Sequence, residues 1–482
     1  MLTSLLPALI AFAAPLTPVA PAVAAQPVVD AAAVDAVVRR YREETALPGV
    51  AVVVIRGPTV VHAAGYGHTP DGEAVSEHTV MAAASVSKSF TALAVVQLAE
   101  SGRIRLDDPV RDHLPEFAPA DPRAADITVR RLLDQTSGLS DTTFRSFSGP
   151  RVDTLTEAVA AMRDARLAAA PGTAWAYHNP NFQVAARLVE VVAGVPFADY
   201  LRQHVFAPLG MRDSRTVDTE RDLPPSARGH LKVLGAAVPL PEPPAFGNGS
   251  GGVLTSAHDL AAWLIAQHNG GRGPDGTSIA TPESITAMHT PSAVSDSYGL
   301  GWFIGTTPSG APLVDHGGDL FTSTAYQALL PGSGYGIAVL ANTGLQYGDA
   351  QAIGERLIAL IEGRPPLPVD DPYVVTDVVL LVLTAAVVAL TARGVVRSRR
   401  WAARRSRNLW TVARLLPWVL PLVLLVTIHR VVGYLYRGRD VAWLQVLYLY
   451  PTFMLLLGVT TLGCAAVLVT RAFALRRPLA PR

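Results

Sequence analysis

Apolar positions change their spacing along this chain, and each change marks an element. From Asp30 to about Leu47 they recur at helical spacing through Val34, Val37, Val38 and Tyr41, as one buried helix face requires. AVVVIRG (51–57) and TVVHAAGYG (59–67) then read as two strands joined at a Gly-Pro turn. A helix follows from about Ser85 to Glu100, and helices alternate with Pro/Gly loops through 105–290. Strand-like runs return late, as YGLGWFIG (298–305), TAYQALL (324–330) and YGIAVLAN (335–342), before a last helix from about Ala350 to Ile361. Strands at both ends with mostly helix between predict one sheet built from both ends of this region, with a helical insertion. No internal repeat at a period of 20–50 residues is evident.

Beyond the Pro-rich boundary GRPPLPVDDP (363–372) the pattern changes class. The stretch 373–392 is apolar apart from Asp377 and its threonines, long enough to cross about 30 Å of hydrocarbon. RGVVRSRRWAARRSR (393–407) follows with seven arginines. Leu415–Ile428 is apolar but short, and spans only by borrowing neighbours, as 411–430. The stretch 441–470 is long enough to span with tilt. The chain therefore divides into 1–25, 26–365, and a membrane part at 366–482 with about three transmembrane helices. Residues 1–25 are apolar and end in small residues around Ala22-Val23-Ala24, which suits a secretory signal, although no Lys or Arg precedes the apolar run.

Charge sharpens this division. The 482 residues carry a net charge of only +1. From residue 366 onward there are fifteen arginines against four aspartates, a net +11, which leaves −10 for the rest. Cytoplasmic loops are the ones enriched in Arg, so the loop at 393–414 is expected inside. Residues 26–365 are then expected outside, in a multi-pass protein of the cell membrane. Half the residues are hydrophobic, which excludes a disordered chain. The outer part has no basic excess, so a nucleic-acid partner is not expected. A single cysteine, Cys464, excludes a disulfide framework.

The forty cations include only two lysines, Lys88 and Lys232. Lys88 sits in Ala84-Ser85-Val86-Ser87-Lys88-Ser89, and Ser85 and Lys88 share one face of a helix. A serine hydroxyl needs a neighbouring base to become a nucleophile. A lysine serves if burial and nearby cations strip its proton, and an arginine cannot. Tyr177-His178-Asn179 lies just before a helix expected after Pro180. Tyr177 can exchange protons with a lysine, and Asn179 can orient one. Taken alone, they read rather as a packed aromatic and an N-cap before Pro180. Asp315-His316-Gly317-Gly318-Asp319 places paired glycines at a strand end, where a ligand can come close. Its alternative is a β-bulge with an exposed His. The string Gly247-x-Gly249-x-x-Gly252 has no strand before it, so it reads as a turn near the cleft rather than a dinucleotide loop. The histidines show no metal-ligand spacing.

S-x-x-K, Y-x-N about 90 residues later and H-G-G near the domain's end together resemble the serine β-lactamase and penicillin-binding-protein superfamily. They look most like its class C branch, which also holds DD-peptidases and esterases. ASVSKSFTALAVVQLAESGRIRLDDPV, LLDQTSGL, PGTAWAYHNPNF and GNGSGGVLTSAHDLAAWL are similar to family segments, and the likeness covers about 30–362. It implies an α/β (α+β) fold with a five-stranded antiparallel sheet flanked by helices. It implies Ser85 as acylated nucleophile, Lys88 and Tyr177 as the base system, and Asn179 orienting substrate and Lys88. His316, Gly317, Gly318 and Asp319 line the opposite wall, with the N–H groups of Ser85 and Asp319 as oxyanion hole. No metal or organic cofactor is implied. Where the family's lactamases usually carry Lys, this chain has His316, so work on peptides or esters is expected above efficient β-lactam turnover. A non-catalytic sensor using the same pocket, or a transport role for the membrane part, are the competing functions.

Overall fold

The computed structural model describes residues 29–369, 372–404, 408–436 and 438–476; the signal expected at 1–25 lies outside them. Helix α1 (Ala31–Thr45) starts where the Asp30 carboxylate accepts the Ala33 N–H at 2.8 Å, satisfying an amide that the helix leaves free. Strands β1 (Gly49–Arg56) and β2 (Thr59–Gly67) form the expected hairpin. Helices α2 (Ser87–Glu100), α3 (Asn179–Ala193) and α4 (Ala257–His268) belong to the central region. Strands β3 (Phe303–Thr306), β4 (Pro312–Asp319), β5 (Thr324–Leu330) and β6 (Tyr335–Ala341) follow, then helix α5 (Asp349–Ile361). The sheet runs β2-β1-β6-β5-β4-β3, antiparallel throughout. It draws its strands from both ends of the region, as the hydrophobic pattern predicts.

Six strands form where five were expected. The run 298–305 contributes only β3, because a turn with Gly301 at φ +77° precedes it. The additional strand is β4, the one whose end the paired glycines mark, with inward residues Val314, His316 and Gly318. Glycine and charged residues are poor strand formers by propensity, so the sequence marks the end of this strand and not its extent.

The unbroken apolar run of β1 is explained by burial on both faces. Val50, Val52 and Val54 pack with Val38 of α1 and Leu357 of α5. Ala51, Val53 and Ile55 pack with Phe90 of α2 and Trp263 of α4. The second lysine, Lys232, is buried on the hairpin 229–240 and meets the Asp349 carboxylate at 3.0 Å. Tyr41 donates to the same carboxylate at 2.7 Å, as does Thr343. Lys232 therefore serves the fold.

Three helical stretches are long and apolar enough to cross a membrane: Tyr373–Val396, Leu409–Leu435 and Pro451–Arg476. They contain helices α6 (Pro372–Val396), α7 (Leu420–Leu435) and α8 (Pro451–Arg476). The second is longer than the expected 411–430. The third is shifted from 441–470: Trp443–Leu449 is a separate short helix that ends before Pro451, since proline disfavours a helical residue before it. Helices α6 and α8 meet at glycines, and a Cβ on Gly463 would stand 2.7 Å from Thr391 Cγ2; small residues allow such approach. The ends of these helices remote from the Arg-rich 393–404 segment touch the sheet domain. Asp377 of α6 accepts from the Leu234 N–H (2.7 Å) and from Thr452 Oγ1 of α8 (2.6 Å). Tyr448 donates to the Pro241 carbonyl at 2.8 Å.

Candidate active site

Ser85 sits in one 3-10 turn, Ala84–Val86, that feeds α2 at Ser87. Ala84 takes φ +47°, a conformation that costs a non-glycine residue roughly 1–2 kcal/mol. Backbone packing holds it there. The Ala83 N–H donates to the Val253 carbonyl at 2.9 Å, and β4 presses from the other side. A Cβ on Gly318 would lie 2.4 Å from the Ala83 carbonyl and 3.1 Å from the Ser85 nitrogen. Only glycine lets the strand reach the Ser85 amide. Gly318→Ala is therefore expected to displace the turn and slow covalent labelling of Ser85 by about 10²-fold, the usual result of an ångström-scale misplacement; labelling kinetics with a fluorophosphonate measure it.

Lys88 is fully buried. Its Nζ donates to Ser85 Oγ at 2.9 Å and to the Ser250 carbonyl at 2.7 Å. It lies 4.9 Å from the centroid of the Tyr177 ring and 5.8 Å from that of Phe182. Burial, followed by the nearby Arg439 charge, holds the Lys88 ammonium well below its ordinary pKa. The free amine is thus accessible where an ordinary lysine would stay charged. Burial has the opposite consequence for Tyr177, raising its phenol; a hydrogen bond from Ser85 and the Arg439 charge pull only partly back. Between the two candidate bases, Lys88 is placed to take a proton and Tyr177 to keep one.

His316 faces the same space from β4 and is buried. Its Nδ1 lies 2.6 Å from the Gly317 carbonyl, which can only accept, so Nδ1 carries the proton. Its Nε2, 3.2 Å from the Tyr298 hydroxyl, is then the acceptor. Burial, with Lys88 adding to it, pushes the imidazole down to about 3. The wall carries a neutral ring where a lysine would place a charge. Gly317 and Gly318 continue β4 to Asp319, which pairs with Thr324 at the strand end.

The Tyr177 loop is set from behind. Gln135, at φ +63°, accepts through Oε1 from the His178 N–H (3.1 Å) and from Asn181 Nδ2 (2.6 Å), and its carbonyl accepts from the Ala176 N–H at 3.0 Å. His178 turns inward to the Asp141 carboxylate at 2.7 Å. Asn179 opens α3, but no hydrogen bond to Lys88 forms among the described residues. Its Oδ1 is enclosed without a hydrogen-bond partner there and borders a small cavity with Phe144, Gln183 and Phe246.

Four features escaped the sequence. Ser250, Lys88's carbonyl partner, lies in the glycine turn expected near the cleft. Tyr298 fixes His316. Trp175 and Phe303 add aromatic rings around Tyr177, at 6.4 Å each. Arg439, from the segment between α7 and α8, stacks 5.2 Å over the Tyr177 ring and pairs with Asp141 at 3.0 Å. No local signal links Arg439 to Ser85. His78, Asp213 and His258, remote in sequence, bring ligand atoms within 4.8 Å of one another, a group that could hold a metal ion.

Comparison with known proteins agrees with this geometry. Penicillin-binding protein 4 of Amycolatopsis lactamdurans is 33% identical over 319 residues, 63% of this chain and 83% of that protein. Protein flp of Staphylococcus aureus is 28% identical, over 65% of this chain but only 63% of its own length. The octameric penicillin-binding protein homologue from Pyrococcus abyssi superposes with a TM-score of 0.59 at 28% identity, over 70% of this chain and 78% of that one. The family model described as Beta-lactamase matches residues 34–360, so the chain belongs to the β-lactamase and penicillin-binding-protein superfamily of serine hydrolases.

Proposed function

We propose that the protein is a membrane-anchored serine hydrolase whose domain at 26–365 works outside the cell membrane, on amide or ester substrates of the cell envelope. One observation carries this: a buried lysine amine 2.9 Å from a serine hydroxyl. Ser85 Oγ attacks the substrate carbonyl and its proton passes to Lys88 Nζ. The oxyanion faces the Ser85 and Asp319 N–H groups, a contribution of typically about 3–4 kcal/mol per donor. The leaving group departs with a proton relayed through Tyr177, and water releases the acyl group. Asn179, Gly317 and Gly318 border the substrate. The uncharged His316 favours peptide or ester work over efficient β-lactam turnover, since no permanent cation stands on that wall. The Arg-rich segment at the far end of the membrane helices supports the outside placement.

A second reading, a penicillin-binding sensor, draws on the contact between Arg439 and Tyr177, which ties the site to the membrane part. Turnover separates the two. Incubating the full chain with a D-Ala-D-Ala peptide, p-nitrophenyl esters and nitrocefin is expected to give steady hydrolysis of peptide or ester. Stoichiometric acylation with no release would favour the sensor.

Arg439 also makes a pH prediction. Its charge disfavours the Lys88 ammonium. Arg439→Gln removes that repulsion, the ammonium persists to higher pH, and the acylation profile is expected to move to higher pH. Labelling rates measured across pH in both proteins test the sign; a shift to lower pH would contradict it.

A further inference from the structure

A cavity of about 420 Å³ opens where the sheet domain meets α7. Arg145 of the domain, His429 and Arg430 of α7, and Arg439 and Asp440 of the following segment border it, together with Asp141. Its carboxylates are already engaged. Asp440 accepts the Phe147 and Ser148 N–H groups at 2.6 and 2.9 Å and the Ser148 hydroxyl at 2.6 Å. Asp141 is held between His178 and Arg439. Among the described residues Arg145 and Arg430 have no ion-pair partner, and His429 Nδ1 is enclosed without a hydrogen-bond partner. Arg145 and Arg430, both exposed, border this space without a carboxylate partner, which suits an anion with several oxygens, and phosphate matches the guanidinium fork best.

The cavity's place at one end of an apolar helix bears on the source of that phosphate. Arg430 stands near the end of α7 that meets the sheet domain. Tyr434, 82% exposed, lines the cavity, and Trp443 packs on the same helix, its Nε1 donating to the Leu425 carbonyl at 2.7 Å. Such aromatic rings mark the headgroup level of a bilayer. The cavity also shares Arg439 with the Tyr177 ring, itself 4.9 Å from Lys88 Nζ.

We infer that this cavity is a headgroup subsite for a phosphate-bearing lipid, and that the substrate is an ester or amide carried on such a headgroup and presented to Ser85 from the membrane. This rests on the serine hydrolase reading above. In the reaction the ester or amide bond breaks, Ser85 takes the acyl group, and water finally receives it, so no other reactant is needed.

The test uses the full chain in nanodiscs of phosphatidylcholine mixed with phosphatidylglycerol and two substrates: a p-nitrophenyl ester built on the headgroup of phosphatidylethanolamine, and soluble p-nitrophenyl butyrate. Wild type is expected to prefer the lipid-borne ester in kcat/KM. Arg145→Gln/Arg430→Gln is expected to lose about 30-fold on it through KM, the order of effect of two interfacial cations, with Arg145→Lys/Arg430→Lys recovering only part of it, since lysine keeps the charge but not the fork. Native mass spectrometry is expected to show phosphatidylglycerol retained by wild type and lost from the Gln variant. Equal lipid-borne kinetics in wild type and the Gln variant overturn the subsite. Inhibition by inorganic diphosphate without lipid retention overturns the membrane source. Failure of wild type to hydrolyse either ester, with phosphatidylglycerol still retained, instead overturns the hydrolase reading and leaves the lipid site.

Discussion

Lys88→Arg is expected to remove acylation of Ser85, slowing it by about 10²–10⁴-fold, the range of a lost general base. Arginine keeps the positive charge and much of the length, but it does not give up its proton. The variant therefore separates base catalysis from mere charge. Lys88 is fully buried with Nζ on Ser85 Oγ, and its ammonium is depressed well below the ordinary value. In wild type, acylation is expected to rise with pH through that lowered value and then level; in the arginine variant this limb disappears. Stability has the same sign. Between the lowered folded value and the ordinary one near 10.5, the unfolded chain binds the extra proton, so wild-type stability rises with pH across that window. Rapid-mixing labelling with a fluorophosphonate, at a series of pH values, measures the rates. A variant labelled at the wild-type rate with the same profile would mean that Lys88 is not the base.

The other large effect falls on the fold. Lys232→Met leaves the Asp349 carboxylate buried without its cation, and breaking a buried pair from one side costs about 3–5 kcal/mol. The hydroxyls of Tyr41 and Thr343 still donate to Asp349, so the loss is expected at the lower end of that range. Denaturant unfolding of the full chain in nanodiscs, followed by tryptophan fluorescence, reads it. Lys232→Met with Asp349→Asn is expected to recover part of the stability, because the substituted amide carries no charge. A single variant as stable as wild type would show the pair to be dispensable.

The two lysines show how far the sequence carried. Their rarity drew attention to both, and the S-x-x-K spacing picked out the one beside a nucleophile. Nothing local distinguished Lys232, whose partner lies 117 residues away. The sheet's ends were legible because β1, β5 and β6 are buried on both faces and read as plain apolar runs. Of strand β4 only the end was legible, because the glycines and the His that shape the site displace the residues that advertise a strand. The break before Pro451 was not read, because the long apolar composition of 441–470 masked the short helix that ends there. The site's first contacts, Ser85 with Lys88 and the approach of Gly318, follow from motif residues. Its electrostatics do not, since Arg439 reaches Tyr177 from a segment between two membrane helices, and only tertiary packing brings it there.

The central claim is that Ser85 becomes acylated. Intact-mass and peptide analysis of the full chain after treatment with a fluorophosphonate, and separately with a labelled penicillin, addresses it most directly. One adduct is expected, on the peptide containing Ser85, and it is expected to be absent from Ser85→Ala. Equal labelling of the two proteins, or an adduct on any other residue, would contradict the account.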